Sequence, residues 1–243
     1  MSAVPAGPEK HHPKRSRRAA TASLVILLVY LAIAYVAAPE FWWRHMGGLD
    51  ALDMRTTTTD GIPGDPINVG LVGSKQEVMQ AFAAAGWRPA DAITLKTSIE
   101  IGLSVALRRP DPNAPVSTLI YDGRRQDLAF EKPVGGSADQ RNHVRFWQSD
   151  PLKPGGAGPL WLGAASFDRG VGFSHDTGQI THHIGPDLDA ERKFVIGDLS
   201  ATGWIGSSYE IEGSGATEDG RNGGGDRFFT DGKALIGVLK RPE

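Results

Sequence analysis

Residues 19–38 carry no charged side chain, and five basic residues stand just before them: Lys10, Lys14, Arg15, Arg17 and Arg18, against the single acid Glu9. Twenty residues at ~1.5 Å rise make a helix of ~30 Å, about the hydrocarbon thickness of a bilayer. The run from Leu24 to Val29 puts apolar side chains on every helical face, whereas a helix on the surface of a soluble domain keeps a polar stripe. Phe41, Trp42, Trp43 and Arg44 follow Pro39 and have the composition of an interfacial aromatic belt. The sequence therefore predicts a basic cytoplasmic tail over 1–18 and a transmembrane helix over 19–38. By the positive-inside rule, the chain beyond residue 45 is expected outside the cytoplasm, at a bacterial inner membrane crossed once. A cleavable signal peptide is the competing reading, with Ala32-Ile33-Ala34 as its cleavage site. The apolar run continues past that site, which favours a retained anchor.

Charge narrows the partners. The chain has a formal net charge of −2, and losing the tail's five basic residues and one acid takes residues 39–243 to about −6. A nucleic-acid module is usually basic, so no nucleic-acid partner is expected and the basic tail reads as a topology signal. The absence of cysteine excludes disulfides, thiol catalysis and thiolate metal sites.

Beyond the span, residues 39–66 are rich in Thr, Gly and Pro without apolar periodicity, which reads as a juxtamembrane linker. The extracytoplasmic domain is expected over 67–243. Residues 67–72 read as a strand, followed by a helix capped by Ser74 with Glu77 three residues on. Val78, Met79, Phe82 and Ala85 are its expected apolar face, Gly86 its stop, and Trp87 a core anchor. A second helix is expected over 94–107 and a third over 187–202, the latter capped by Asp187 with Leu188, Phe194, Val195 and Leu199 facing inward. Short alternating segments over 116–121, 127–132, 143–148, 160–167 and 180–184 read as strands. Asp231-Gly232 predicts a hairpin joining 226–230 to 233–239, and 213–225 reads as a loop. The expected fold class is α+β: a mostly antiparallel sheet with about three packed helices, preceded by one transmembrane helix.

Several ordered blocks carry a family resemblance. DPINVGLVGSKQEV, GWRPAD, GRRQDLAFEKPVG, RNHVRFW, PLWLGAASFDRGVGF and THHIGPDLDAERKFVIGDL, in that order over roughly 65–205, resemble the LssY C-terminal domain family. In many relatives this domain follows membrane segments of the DedA or PAP2 phosphatase type, which the present chain does not contain. The resemblance implies a membrane-associated bacterial domain, of a family named after a proposed secretion-system component. It implies no particular reaction and assigns no catalytic residues.

Two polar clusters are the candidates for chemistry. The first, Thr181 to Arg192, sits at a strand-to-helix junction. His182 and His183 are adjacent in a strand and so face opposite ways, leaving one of them to aim at a given pocket. With Asp168 and Asp189 they form the candidate catalytic set, and His143, Asp187 and Glu191 are further possible ligands of a metal whose identity is left open, as is any cofactor. The spacing matches neither H-E-x-x-H nor an EF-hand loop. The structural alternative is that Asp187 and Asp189 serve the helix N-terminus while Glu191 and Arg192 decorate a solvated face or form an ion pair. The second cluster offers Arg125, His143 and Arg145 as binders of an anionic, phosphorylated headgroup, since guanidinium forks donate paired hydrogen bonds. Cross-strand ion pairs are the structural alternative there. Asp168-Arg169-Gly170 reads as a turn, and Ser74 lacks the G-x-S-x-G elbow of a nucleophile. The leading expectation is a membrane-anchored binding or interaction module tied to secretion or lipid handling, with a membrane-protein or secretion-complex partner. The alternative is a hydrolase using the His/Asp cluster on an anionic substrate, and a third reading is a structural subunit of a larger membrane complex.

Overall fold

A computed structural model describes residues 14–41, 54–90, 118–135, 140–149, 158–213 and 219–242. The apolar segment is helical, as α1 (Lys14–Ala32) continued through a π-helical turn, Ile33–Ala37, as far as Phe41. The stretch Ala19–Phe41 is long and apolar enough to cross a membrane. The aromatic belt at 42–44 lies outside the described residues, as does the helix expected over 94–107.

The folded unit begins earlier than expected. Residues 55–58 form β1 (Arg55–Thr58) and 63–66 form β2 (Pro63–Pro66), not a linker. Thr56 is fully buried and donates to Asp65 O at 2.7 Å, so side-chain hydrogen bonding orders a segment that has no apolar pattern to betray it. After β3 (Val69–Val72) comes α2 (Lys75–Ala84), and its N-terminus is the expected capping box: Ser74 accepts from Glu77 N while Glu77 accepts from Ser74 N. Val78, Ala81, Phe82 and Ala85 are buried, whereas Met79 is 45 % exposed and leaves the expected core face. Trp87 anchors the next turn, its Nε1 donating to Asp198 at 2.6 Å.

The remaining elements are β4 (Arg88–Pro89), β5 (Leu119–Tyr121), β6 (Arg124–Arg125), β7 (Leu128–Pro133), β8 (Arg141–Ser149), β9 (Leu160–Phe173), β10 (Ile180–Ile184), α3 (Leu188–Ala201), β11 (Ile205–Glu212), β12 (Asp219–Arg221), β13 (Arg227–Phe229) and β14 (Lys233–Leu239). The large sheet runs β11-β14-β3-β9-β8-β7-β4, with β10 on the distal half of β9, and a small sheet runs β2-β1-β5-β6. Among the described residues every strand pairing is antiparallel except β14 with β3. The fold is thus the expected α+β class.

The large sheet separates two cores. On one face Val69, Leu71, Phe130, Val144 and Phe146 meet α2 and α3. On the other, Ile67, Trp147, Leu162, Ala164 and Ile236 lie under the small sheet's Leu119. Gly163 is required between them: a Cβ there would stand 2.6 Å from the Phe146 ring.

Further expectations are corrected. Asp168-Arg169-Gly170 is not a turn: β9 runs on as a 14-residue strand, and β10 pairs Ile184 with Asp168 and His183 with Gly170. Asp231-Gly232 does turn the chain, with Gly232 at φ 77°, but β13 pairs with β12 while β14 joins the large sheet beside β11 and β3. The turn is captured by α3, whose buried Arg192 grips Asp231 with both Nη atoms at 2.7 and 2.6 Å. Arg192 and Glu191 are therefore buried rather than on a solvated face, while Phe194, expected inward, is 40 % exposed. Within the expected 213–225 loop, residues 219–221 are strand β12.

Candidate functional site

Strand alternation builds the site. Arg141, His143 and Arg145 occupy every second position of β8 and project to the small-sheet side. Across the ladder Arg141 pairs with Asp168 and His143 with Ser166 on β9, while on β7 Glu131 pairs with His143. All six side chains are buried. The sequence alternation R-N-H-V-R against S-F-D is the signal of this polar stripe.

The wiring is specific. Arg141 donates through Nε to Asp168 Oδ2 at 3.0 Å and through Nη1 to Glu131 Oε2 at 2.6 Å, and its Nη2 lies 3.1 Å from His182 Nε2. Arg145 Nη1 lies 2.8 Å from His143 Nε2 and 3.7 Å from Asp65 Oδ2. His143 Nδ1 is 3.0 Å from Asp168 Oδ1. A guanidinium only donates, so each imidazole must offer Nε2 as an acceptor and carry its proton on Nδ1. Burial, reinforced by Arg141, pushes the His182 pKa down to about 4 against the pull of Asp168. Burial would raise the Asp168 carboxyl, but His143, His182 and Arg141 outweigh it and hold it well below the ordinary range. On the helix side, Glu191 is pushed up to about 8 by burial and then by the Asp168 charge. The Asn142 amide, turned with its nitrogen toward Glu191, reaches its two oxygens at 3.0 and 3.1 Å.

Ser166 completes a row that resembles a catalytic triad in spacing: its Oγ is 2.9 Å from His143 Nε2. It does not behave as one. The Nε2 lone pair faces Arg145, and Ser166 Oγ donates to Asp65 Oδ2 at 3.1 Å from a fully buried position. Neither a free base nor an exposed nucleophile results.

Above this stripe lies a cleft of about 350 Å³ whose walls include Asp65, Arg125, His143, Arg145 and His182, with Tyr35 of the apolar helix also lining it. The helix docks beside it. Tyr30 Oη donates to Gly178 O at 2.8 Å, the Tyr35 hydroxyl accepts from Ile180 N at 3.3 Å, and the Tyr30 and Phe173 rings meet edge to face.

A family model described as LssY C-terminus matches residues 49–234, more than half of the chain. The chain belongs to the LssY C-terminus family. Searches of curated proteins and of solved structures each found no match.

Of the residues singled out in this LssY C-terminus family member, His143, Arg145, Asp168 and His182 come together in one network, and Arg125 stands on the cleft wall. His183 points the other way, its Nδ1 2.9 Å from Asp226 Oδ1. Asp189 is also elsewhere, accepting from Thr230 Oγ1 at 2.7 Å and Asp231 N at 3.0 Å. Asp187 caps α3 by accepting from Ala190 N, as expected. Asp65, Ser166, His175 and Asp226 escaped the sequence reading. Asp65 lies in the supposed linker and His175 and Asp226 in turns, where no periodicity marks a functional side chain.

Proposed function

We propose that this LssY C-terminus protein is a single-span, inner-membrane-anchored domain of the bacterial envelope that binds an amphiphile with an anionic, phosphate-bearing headgroup. One observation carries the reading: the cleft joins Arg125 and Arg145 to Tyr35 of the apolar helix. A ligand seated there sets its charge against guanidinium groups while its chain runs along the helix. The domain lies outside the cytoplasm, a reading supported by the basic tail before the span. A secretion-complex or other membrane-protein partner is part of this proposal through the family alone.

The test is titration calorimetry on the full chain in neutral detergent, with short-chain phosphatidic acid, the matching phosphatidylcholine and inorganic phosphate. Phosphatidic acid binding at least tenfold tighter than phosphatidylcholine, and weakened severalfold by Arg125→Gln, is the expected result. Equal binding of both lipids, or none, overturns it. Topology is checked with C-terminal reporter fusions: alkaline phosphatase should be active and a fluorescent protein dark.

Hydrolysis is the second reading, favoured by the Asp168–His143–Ser166 spacing. It requires Arg145 to leave His143 Nε2 when substrate binds, freeing that nitrogen as a base. Release of inorganic phosphate from phosphatidic acid, abolished by His143→Ala, would establish it over simple binding.

A further inference from the structure

The buried network leaves a second cluster unused, on the opposite side of β10. His183 Nδ1 lies 2.9 Å from Asp226 Oδ1, and His175 Nε2 lies 3.6 Å from the same oxygen. A ligand atom from each of the three residues falls within 4.8 Å of the others. We propose that His175, His183 and Asp226 form a divalent-cation site, with Zn²⁺ its occupant.

Both separations from the shared carboxylate oxygen suit the ion, and the two imidazoles lie within 4.8 Å of each other. Donors ~2.0–2.1 Å from a tetrahedral Zn²⁺ stand roughly 3.3–3.4 Å from each other, and the two contacts bracket that value. The donor set, two imidazoles and one carboxylate, favours zinc or a neighbouring transition metal over Mg²⁺ or Ca²⁺, which prefer oxygen. The carboxylate is already oriented. Asp226 is 4 % exposed, and its Oδ2 accepts from Ile184 N at 3.1 Å, leaving Oδ1 turned toward both imidazoles. Its own N–H is held by Asn222 Oδ1 at 3.0 Å. Such outer hydrogen bonds fix a ligand before the metal arrives.

The backbone makes room for the His183 ring and for the start of the His175 side chain. A Cβ on Gly172 would stand 2.6 Å from His183 Nε2, and one on Gly225, at φ 79°, would stand 2.9 Å from the His175 Cβ. The His175 loop is pinned onto the 222–226 turn by His175 N donating to Gly224 O at 3.0 Å and by Arg221 pairing with Asp176 at 3.0 Å. The His175 side chain is 61 % exposed, which gives the ion an entry path and a solvent ligand in its fourth position. Arg169 Nη2, 3.9 Å from Asp226 Oδ1 and half exposed, is the one opposing charge among the described residues near this oxygen, and it can swing into solvent when the cation binds. A bound ion would clasp the tip of the β9–β10 hairpin, which also touches the apolar helix, to the turn before β13.

The experiment is equilibrium dialysis of the full-length, tag-free chain in detergent against buffered Zn²⁺, with metal counted by mass spectrometry. The parent carries His11→Ala and His12→Ala, so that the N-terminal pair cannot bind. One Zn²⁺ per chain is expected, with affinity falling at least tenfold in His175→Ala and in His183→Ala and staying unchanged in His182→Gln. His175 is exposed, so its replacement does not threaten the fold. No stoichiometric Zn²⁺ in the parent, unchanged binding in His175→Ala, or equal loss in His182→Gln would each overturn the assignment.

Discussion

Arg141 and Asp168 face each other across β8 and β9, Nε to Oδ2 at 3.0 Å, with both side chains almost fully buried. The same guanidinium also holds Glu131 and His182. Truncating it takes the guanidinium away from buried Asp168 and leaves Glu131 to the half-exposed Arg88. Arg141→Met is expected to destabilise the domain by about 3–5 kcal/mol, the range for breaking a buried pair by removing one partner. Asp168→Asn, which keeps an acceptor for Nε, should lose less. Chemical denaturation of the detergent-solubilised chain measures both, and an Arg141→Met variant as stable as the parent would show that the network carries no structural weight.

His182 gives the domain an acid limb. Its pKa falls from 6.5 to about 4 on folding, so between those values the unfolded chain binds the extra proton and the folded one does not. Stability therefore drops as pH falls from about 6.5 toward 4. The partly open cleft side makes ~3 kcal/mol the upper limit. His182→Gln removes that contribution, so the variant should gain stability relative to the parent as pH falls from 6.5 toward 4. Unfolding midpoints of both taken across pH 4–7 provide the check, and a variant-minus-parent difference that does not change with pH would show that His182 contributes nothing to the acid dependence.

Glu191 works in the opposite direction. Its pKa rises from 4.5 to about 8 on folding, so the proton that the folded state keeps is lost from the unfolded chain above about 4.5. The stabilisation is complete below 4.5 and declines as pH climbs through 8, by roughly 1.4 kcal/mol per unit at most. Between 4.5 and 6.5 it offsets the His182 effect, so the clean window is 6.5–8. Glu191→Gln, which mimics the neutral acid beside Asn142, should remain level across that window while the parent weakens.

These two groups also mark where the sequence could be read and where it could not. The 3.6-residue pattern of α2, its capping box and the alternation of β7, β8 and β10 follow from local spacing and appear as expected. His143 and Asp168 were nameable as polar residues, but their contact depends on the β8–β9 register, a long-range pairing that local spacing does not contain. Asp168 looked like a turn residue because Gly170 follows it; the extended glycines instead let β9 continue beneath His183. β1 and β2 were missed because they are held by polar side chains and backbone, not by an apolar stripe. Glu191 shows the converse error. Two adjacent charged residues on a helix, Glu191 and Arg192, read as decoration of a solvated face, yet β8 lies over Glu191 and Asn142 takes its oxygens.

The contact between hairpin and apolar helix predicts a depth. Tyr30 lies eleven residues before Phe41, about 16 Å along a helix axis, so the hairpin tip rides beside the helix and not past its end. With an anchor spanning 19–38, Tyr30 lies about 12 Å inside the C-terminal end of the span, and its ring contact carries Phe173, 55 % exposed, below the interface to the depth of the lipid chains. The absence of cysteine makes the measurement direct. A single Cys introduced by Phe173→Cys and carrying an environment-sensitive dye should be blue-shifted in vesicles and quenched by spin-labelled lipid. The same dye at Met79→Cys, on the far side of the large sheet, should be neither. Equal, water-like emission from both positions would mean that the hairpin stands clear of the bilayer, and the cleft's access to a lipid headgroup would go with it.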